Sequence, residues 1–254
     1  MESQTNPILR TDGLKKQFGG LTAVDDVSLS IERGELHCLI GPNGAGKSTI
    51  FNLLTGQLTP TSGDIYLKNE KITNLGIHNR ARRGISLKFQ SPRIYQKMSV
   101  EENIRTPLLR GLTDSESQET RINELLSIIG LQGERDTIAE DLSHGQQQWI
   151  EIAMAISINP DLLLLDEPTA GMTMEETKKT GDLITELNED GITVVVVEHN
   201  IKFIHQIAEN VTVLHHGEIL FQGTPEEVSN NEEVQRVYLG KTAEDSLEQW
   251  DMED

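Results

Sequence analysis

Short apolar runs alternate along this chain with stretches that have helical spacing. Three runs are almost continuously apolar, and the last of them is rich in β-branched valine: Glu35–Ile40, Leu162–Leu165 and Ile192–Val197. Runs of this kind that alternate with amphipathic helices are typical of parallel strands buried on both faces. The pattern therefore predicts an α/β fold built around a parallel sheet.

Two other patterns add further elements to that fold. Thr22–Ile31 and Asp64–Lys68 alternate apolar and polar positions, as strands of a half-buried antiparallel sheet do. Residues 99–157 contain no comparable strand but show several helical spacings. We therefore expect an antiparallel β subdomain and a helical subdomain, the latter inserted at about residues 92–157.

The sequence near the C-terminus predicts one more helix and a tail. Thr224-Pro225-Glu226-Glu227 combines an N-cap threonine, a proline in the first turn and a glutamate that closes a capping box. Residues 242–254 hold six acidic residues and no basic one, which favours a loosely attached segment. We expect a single domain over residues 1–240 and an acidic tail over residues 241–254.

The charge of the chain is strongly negative. Its 22 lysine and arginine residues are outnumbered by 41 aspartate and glutamate residues, which gives a net charge of −19. Nucleic-acid binders need clustered basic side chains to neutralise phosphates, so no nucleic-acid partner is expected. A single cysteine and the lack of any apolar run of about 20 residues favour a cytosolic protein without a disulfide or a membrane span.

One stretch of the chain is basic instead. Seven basic residues and no acidic one lie between residues 71 and 100, namely Lys71, Arg80, Arg82, Arg83, Lys88, Arg93 and Lys97. Two interpretations fit this stretch, an ordinary solvated face or a patch that docks on a membrane complex or on lipid headgroups. Both predict that these side chains are exposed.

A phosphate-binding pattern follows the first buried strand. Gly41-Pro42-Asn43-Gly44-Ala45-Gly46-Lys47-Ser48 matches G-x-x-x-x-G-K-[ST] and precedes a helical stretch over Ser48–Thr55. The glycines let backbone N–H groups converge on phosphate oxygens, and the start of the helix adds its positive end. We predict that this loop and Thr49 bind a nucleoside triphosphate, with Lys47 bridging the β- and γ-phosphates and Ser48 binding Mg²⁺.

A pair of acidic residues ends the second apolar run. Asp166 and Glu167 follow Leu162–Leu165 directly, and the carboxyl end of a buried strand is where an α/β sheet presents its chemistry. Asp166 is predicted to hold Mg²⁺ through water, and Glu167 to polarise the attacking water as a general base. Taken with the loop at Lys47, these acids predict binding and hydrolysis of a nucleoside triphosphate.

A fourth pattern connects the chain with a known family. Leu142-Ser143-His144-Gly145-Gln146 resembles the Leu-Ser-Gly-Gly-Gln signature of the ATP-binding-cassette (ABC) family. Gln90, His199 and Phe18 are similar to its glutamine loop, its switch histidine and the aromatic residue that stacks on adenine. The resemblance covers about residues 8–240. It implies an ABC nucleotide-binding domain, with a RecA-like P-loop NTPase core, an antiparallel β subdomain and a helical signature subdomain.

The resemblance also implies partners and roles. In the family, ATP is sandwiched between two subunits, so that Ser143, Gly145 and Gln146 would face the γ-phosphate held by another subunit. His199 would sense that phosphate, and Gln90 would bind Mg²⁺ and couple the site to the membrane part. The implied partners are a second ABC ATPase subunit, identical or different, two transmembrane permease subunits and, indirectly, a substrate-binding protein.

The sequence departs from the ABC family pattern at two positions, and it resembles one branch of the family in particular. His144 replaces the first glycine of the signature, and Thr173 stands where many members carry aspartate. Phe18–Ser28 resembles the branched-chain amino acid and urea importer branch, and His144 together with Trp149 resembles its urea subunit most. We expect an importer subunit on the inner face of the cell membrane, for urea or a short-chain amide. A branched-chain amino acid importer is the alternative, and an ABC ATPase without a permease is a third.

Overall fold

In the computed structural model, which describes residues 7–88, 94–109 and 114–239, the strands form two sheets. In chain order the strands are β1 (Leu9–Phe18), β2 (Leu21–Val27), β3 (Ser30–Ile31), β4 (Leu36–Ile40), β5 (Ser62–Leu67), β6 (Glu70–Lys71), β7 (Ile85–Lys88), β8 (Leu162–Asp166), β9 (Thr193–Val197), β10 (Asn210–His215) and β11 (Glu218–Gly223). The helices are α1 (Lys47–Thr55), α2 (Ile77–Ala81), α3 (Val100–Leu108), α4 (Ser115–Ile128), α5 (His144–Ile156), α6 (Met174–Glu189), α7 (Ile201–Ile207), α8 (Pro225–Ser229) and α9 (Glu232–Leu239).

The larger sheet has the order β11-β10-β4-β9-β8-β7. Its neighbours are parallel, except that β11 returns antiparallel beside β10. Every residue of β4, β8 and β9 is buried, because helices cover one face of the sheet and α1 with the antiparallel strands covers the other. This arrangement confirms the predicted α/β fold and the three strands expected from the apolar runs.

The smaller sheet is antiparallel and lies in the N-terminal part of the chain. Strand β1 pairs with β2, β3 and β5, and β6 pairs with β5. The segment Thr22–Ile31, expected to be one strand, forms β2 and β3 with a short break between them. Ile65 and Leu67 are buried on the inner face of β5, whereas Tyr66 between them is only half-buried, which is the alternation that the sequence indicated.

Helices α3, α4 and α5 lie between β7 and β8 in the chain. Their apolar faces include Ile104, Leu125 and Ile152. These residues belong to the same buried cluster as Leu163 and Val196 of the parallel strands. Among the described helices, none combines the length and the apolar character needed to cross a bilayer.

Two helix starts show how local chemistry sets the boundaries. Thr224 accepts a hydrogen bond from the Glu227 backbone, with Pro225 in the first turn, so the predicted cap of α8 is confirmed. Helix α5 begins at His144. Ser143 is its N-cap, and Gln146 closes the capping box by accepting a hydrogen bond from the Ser143 backbone.

The basic stretch of residues 71–100 does not form an exposed face as a whole. Arg80 and Lys88 are buried, and Arg93 lies outside the described residues. Three others form ion pairs, namely Lys71 with Asp64, Arg83 with Glu70 and Lys97 with Glu140. The expectation that these side chains are exposed together is therefore wrong for Arg80 and Lys88.

Arg80 is a structural cation at the end of α1. The residue is 1% exposed, and its guanidinium donates to the backbone oxygens of Leu53 and Leu54 at 2.6 and 2.7 Å, and to those of Thr73 and Leu75 at 3.0 and 2.7 Å. Burial lowers its pKa to about 10, so it remains charged at neutral pH. It thereby adds donors to carbonyl groups at the C-terminus of α1, of which that of Leu53 also accepts from the Gly56 N–H at 3.3 Å.

We expect Arg80→Met to lower the free energy of unfolding by about 3 kcal/mol, because it leaves buried carbonyl groups without donors. Arg82→Met is the matched control, since Arg82 lies two positions further along the chain and is exposed. Chemical denaturation of both variants measures the difference. Equal stability of the two would show that the buried guanidinium is not needed.

Candidate nucleotide site

The phosphate loop, residues 41–46, joins the buried strand β4 to the first turn of α1. Gly46 has a φ of +106°, and a Cβ at that position would lie 2.6 Å from the backbone oxygen of Ala23. The loop can therefore take this path only with glycine at residue 46. Ser48, which is exposed, and Thr49, which is half-buried, follow at the start of α1, where backbone N–H groups are free to bind an anion.

Lys47 lies inside this loop. Its Nζ donates to the backbone oxygen of Gly41 at 2.5 Å and to that of Pro42 at 3.2 Å, and only 8% of the residue is exposed. Burial lowers the pKa of this lysine, and the carboxylates of Glu167 and Asp166 act in the opposite direction. The cation is thus held at the loop by neutral oxygens and faces two acids.

The sheet order brings those acids to the phosphate loop. Strand β9 pairs with β4 on one side and with β8 on the other, so Val197 lies between Leu39 and Asp166 in register. The carboxyl ends of β4, β8 and β9 therefore meet at one edge of the sheet. Each strand end carries a predicted site residue. Lys47 lies beyond the end of β4, Asp166 is the last residue of β8, and His199 lies just beyond β9.

Burial makes the carboxyl group of Asp166 a weaker acid than that of a free aspartate. Removal of its carboxyl group from water raises its pKa to about 6, and the nearby negative charge of Glu167 adds to the rise. Lys88 and Lys47 oppose it. A divalent cation bound there would favour the ionised form further.

Glu167 leaves the sheet in an unusual backbone conformation. Its φ is +45°, and its N–H donates to the Val197 oxygen at 2.9 Å. A non-glycine residue with positive φ is uncommon and often marks a functional position. The Nδ1 of His199 lies 3.8 Å from the Glu167 carboxylate, and the imidazole is 63% exposed, so it is open to a ligand at this edge.

Glu198 holds the loop after Glu167, a role that the sequence did not reveal. Its buried carboxylate accepts hydrogen bonds from the Thr169 backbone at 3.2 Å and from the Thr169 hydroxyl at 2.5 Å. It also accepts from the backbone of His199 at 2.9 Å. The only available signal was an acid beside a histidine at the end of a buried strand.

The signature residues lie on a different part of the chain, at the start of α5. The Ser143 hydroxyl donates to Glu176 of α6 at 2.9 Å and accepts from the Gln146 backbone at 3.2 Å. A Cβ on Gly145 would come within 2.5 Å of the same Glu176 carboxylate. Ser143 and Gly145 thus contact α6 of their own subunit, and the Gln146 side chain accepts from the Ser143 backbone at 3.0 Å.

The two departures from the family pattern have local explanations. Thr173 is the N-cap of α6, and its hydroxyl accepts from the Glu176 backbone at 3.2 Å. Threonine caps a helix through its side-chain oxygen as aspartate does, so the substitution keeps the cap. The imidazole of His144 turns towards the loop after Glu167, where its ring would lie 3.3 Å from a Cβ on Gly171.

Two predicted site residues remain to be located, Phe18 and Gln90. Phe18 ends β1 with its ring exposed, and the Lys16 ammonium lies 5.1 Å from the ring centroid. Strand β2 beside it contributes Ala23, which contacts Gly46, so the antiparallel sheet borders the phosphate loop. Gln90 lies outside the described residues.

A glycine loop around a buried lysine, at the carboxyl edge of a parallel sheet and opposite two acids, defines a P-loop nucleotide hydrolase. The ABC transporter family profile matches residues 24–170, and the profile of the branched-chain amino acid ATP-binding cassette transporter matches residues 218–244.

Similar proteins extend over nearly the whole chain. LivG of Salmonella typhimurium, a high-affinity branched-chain amino acid transport ATP-binding protein, is 38% identical over 93% of this chain and 99% of its own. LptB of Escherichia coli, a lipopolysaccharide export system ATP-binding protein, is 36% identical over 92% of this chain and 97% of its own.

Solved structures agree with this relationship. The ADP conformation of MJ1267, an ATP-binding cassette of an ABC transporter, has a TM-score of 0.84 at 29% identity, over 92% of this chain and 99% of that one. The dimeric post-hydrolysis cassette MJ0796, bound to ADP and phosphate, has a TM-score of 0.75 at 31% identity, over 85% and 98%. The chain therefore belongs to the ABC transporter family and is an ATP-binding, ATP-hydrolysing subunit, as the sequence predicted.

We expect Gly46→Ala to weaken ATP binding by about tenfold or more, because the strained, clashing Cβ must displace the loop, at a cost of about 1–3 kcal/mol. Gly20→Ala is the control, since a Cβ there meets no atom within 4 Å. Equilibrium binding of a fluorescent ATP analogue measures both affinities. Parental affinity of Gly46→Ala would contradict the assigned loop geometry.

Proposed function

We propose that this chain hydrolyses ATP to power the import of branched-chain amino acids, as a peripheral subunit on the cytoplasmic face of a membrane complex. The observation that carries the proposal is the match at residues 218–244 to a profile specific for that transporter branch. The similarity to LivG over almost the full length supports it. The urea importer expected from the sequence is a second candidate, since His144 and Trp149 are its distinguishing features.

The structure explains why those two features say little about cargo. Trp149 donates its indole N–H to the Thr180 hydroxyl at 2.9 Å, inside the chain, and His144 faces the loop after Glu167. Neither side chain is placed to contact a transported molecule. Cargo is recognised by other polypeptides in such a complex, and we propose two permease subunits and a substrate-binding protein for these roles.

The phosphate loop is proposed to bind the triphosphate of ATP. Lys47 would exchange its bonds to the Gly41 and Pro42 oxygens for phosphate oxygens, with the backbone of residues 41–46 and the Thr49 side of α1 as further donors. The exposed ring of Phe18 is proposed to stack on adenine.

The oxygen donors at this edge fit a magnesium ion. The hydroxyl of Ser48 and the carboxylate of Asp166 are the hard ligands that Mg²⁺ prefers, and Gln90 is proposed as a further one. Mg²⁺, when bound, would neutralise charge on the β- and γ-phosphates. Asp166 is held for this task by the parallel pairing of β8 with β9.

Glu167 is proposed as the general base that takes a proton from the attacking water. Its strained backbone, fixed by the bond to Val197, aims the carboxylate out of the sheet edge. His199 at 3.8 Å is placed to contact both this carboxylate and the γ-phosphate. Proton abstraction by a positioned carboxylate is a step worth about 10²- to 10⁴-fold in rate.

The signature is proposed to complete the ATP site of a second ABC subunit, identical or different. Ser143, Gly145 and Gln146 start a helix of thirteen residues, and the N-terminus of such a helix attracts phosphate. Since the Ser143 hydroxyl has one proton, it must leave Glu176 before it can donate to a γ-phosphate. The similar cassette MJ0796 is a dimer in its post-hydrolysis state.

We expect Glu167→Gln to bind ATP with the parental affinity but to lower turnover by about 100-fold or more, because an amide cannot accept the proton. Glu189→Gln, an exposed change at the far end of α6, is the control and should keep the parental rate. Steady-state phosphate release and nucleotide binding separate the two effects. Turnover of Glu167→Gln at the parental rate would exclude Glu167 as the base.

Uptake of radiolabelled leucine and of urea, in cells lacking the chain, tests the cargo. We expect the parental chain, but not Glu167→Gln, to restore leucine uptake and to leave urea uptake unchanged. Restored urea uptake with no change for leucine would replace the proposed cargo with the second candidate. Restoration of neither, by a chain that hydrolyses ATP, would contradict the role in import.

A further inference from the structure

The side chain of Gln148 is buried in α5, one turn after His144, and faces the loop that follows Glu167. Only 1% of the residue is exposed. Its Nε2 donates to the backbone oxygen of Ala170 at 2.9 Å and lies 2.9 Å from the Nε2 of His144. Both amide protons of Gln148 are therefore used in bonds that join α5 to this loop.

His144 supplies the acceptor that this arrangement needs. An amide NH₂ can only donate, so the facing imidazole nitrogen accepts and the ring proton lies on Nδ1. The ring also packs 3.3 Å from the position of a Cβ on Gly171, whose φ of +74° favours glycine. A glycine at residue 144, the usual family residue, would offer neither the acceptor nor the packing.

Burial of the Gln148 amide carries a free-energy cost. Among the described residues its Oε1 has no hydrogen-bond partner, and a buried polar atom left without one costs about 1–3 kcal/mol. An apolar side chain would fill the interior of α5 without that cost. The two bonds of the Nε2 are therefore the feature that the glutamine provides.

The loop reached by Gln148 is short and leads directly to the proposed base. The Ala170 N–H donates to the backbone oxygen of Glu167 at 3.2 Å, so these two residues belong to one turn. Glu198 holds the same turn through Thr169. Gln148 thus adds a second attachment of the turn, at Ala170.

We propose that Gln148 and His144 are positioning residues for Glu167: together they fix the Ala170–Gly171 backbone and so hold the carboxylate of Glu167 in line with the attacking water. The histidine in the signature is thereby a partner of the amide and not a phosphate ligand. The inference rests on the role proposed above for Glu167, and it predicts a loss of turnover without a loss of ATP affinity.

The test compares Gln148→Met, His144→Ala and His144→Gln in the full chain. Gln148→Met keeps the volume but removes both donors, and His144→Ala removes the acceptor. His144→Gln restores an acceptor at the distance of Nε2. We expect the first two variants to lower kcat about tenfold to 100-fold with KM for ATP within about twofold, and His144→Gln to recover most of kcat.

A second readout does not depend on Glu167 being the base. Amide hydrogen exchange of residues 169–172, in the nucleotide-free chain, should be faster in Gln148→Met and His144→Ala and should return to the parental rate in His144→Gln. Gln132→Met, an exposed change remote from this loop, is the control for both measurements. If Glu167→Gln keeps its turnover while exchange changes as expected, the proposed base fails but the positioning contact stands.

Three results would overturn the inference. One is parental kcat and parental exchange in Gln148→Met. Another is a matched loss of affinity and turnover, which would make the contact part of ATP binding. The third is failure of His144→Gln to recover either kcat or exchange, which would show that the acceptor is not what His144 contributes.

Discussion

The burial of a lysine ammonium beside two carboxylates, at one edge of a parallel sheet, is the constraint on which the rest of this structure depends. Among the described residues, the direct partners of Lys47 are the backbone oxygens of Gly41 and Pro42, and Asp166 has a raised pKa because it is removed from water. Such a group of charges is stable only if the surrounding fold holds it, or if a polyanion and a metal neutralise it. The glycine path of the loop, the pairing of β4, β9 and β8, and the cap that Arg80 places on α1 all serve to hold it.

A second consequence concerns the two helices that start near the catalytic loop. The first turns of α5 and α6 share Glu176, which accepts from Ser143 and closes the capping box of Thr173. Gln148 adds a contact from α5 to Ala170. The signature and the loop after Glu167 therefore form one packed unit within a subunit, so a displacement of the signature helix changes the position of the proposed base.

Much of this fold could be predicted from the sequence because its determinants are local. Continuous apolar runs fix the parallel strands, and the glycine pattern fixes the loop at Lys47. The start of α5 is also set locally, by the capping box of Ser143 and Gln146. The burial of Arg80 and the role of Gln148 could not be read from the sequence, since both depend on carbonyl groups brought near only by folding. Cargo is a different case, because the residues that suggested it, His144 and Trp149, make their hydrogen bonds within the chain.

The affinity of Lys47→Ala for ATP, measured by titration calorimetry against the parental chain, tests the central claim most directly. Lys97→Ala is the control, because its side chain is 82% exposed and pairs with Glu140 on the surface. If the buried ammonium at the sheet edge is the group that binds the phosphates, Lys47→Ala should lose about 100-fold or more in affinity while remaining folded, since a charge-assisted contact to phosphate is removed. Affinity of Lys47→Ala within about twofold of the parental value would contradict the account.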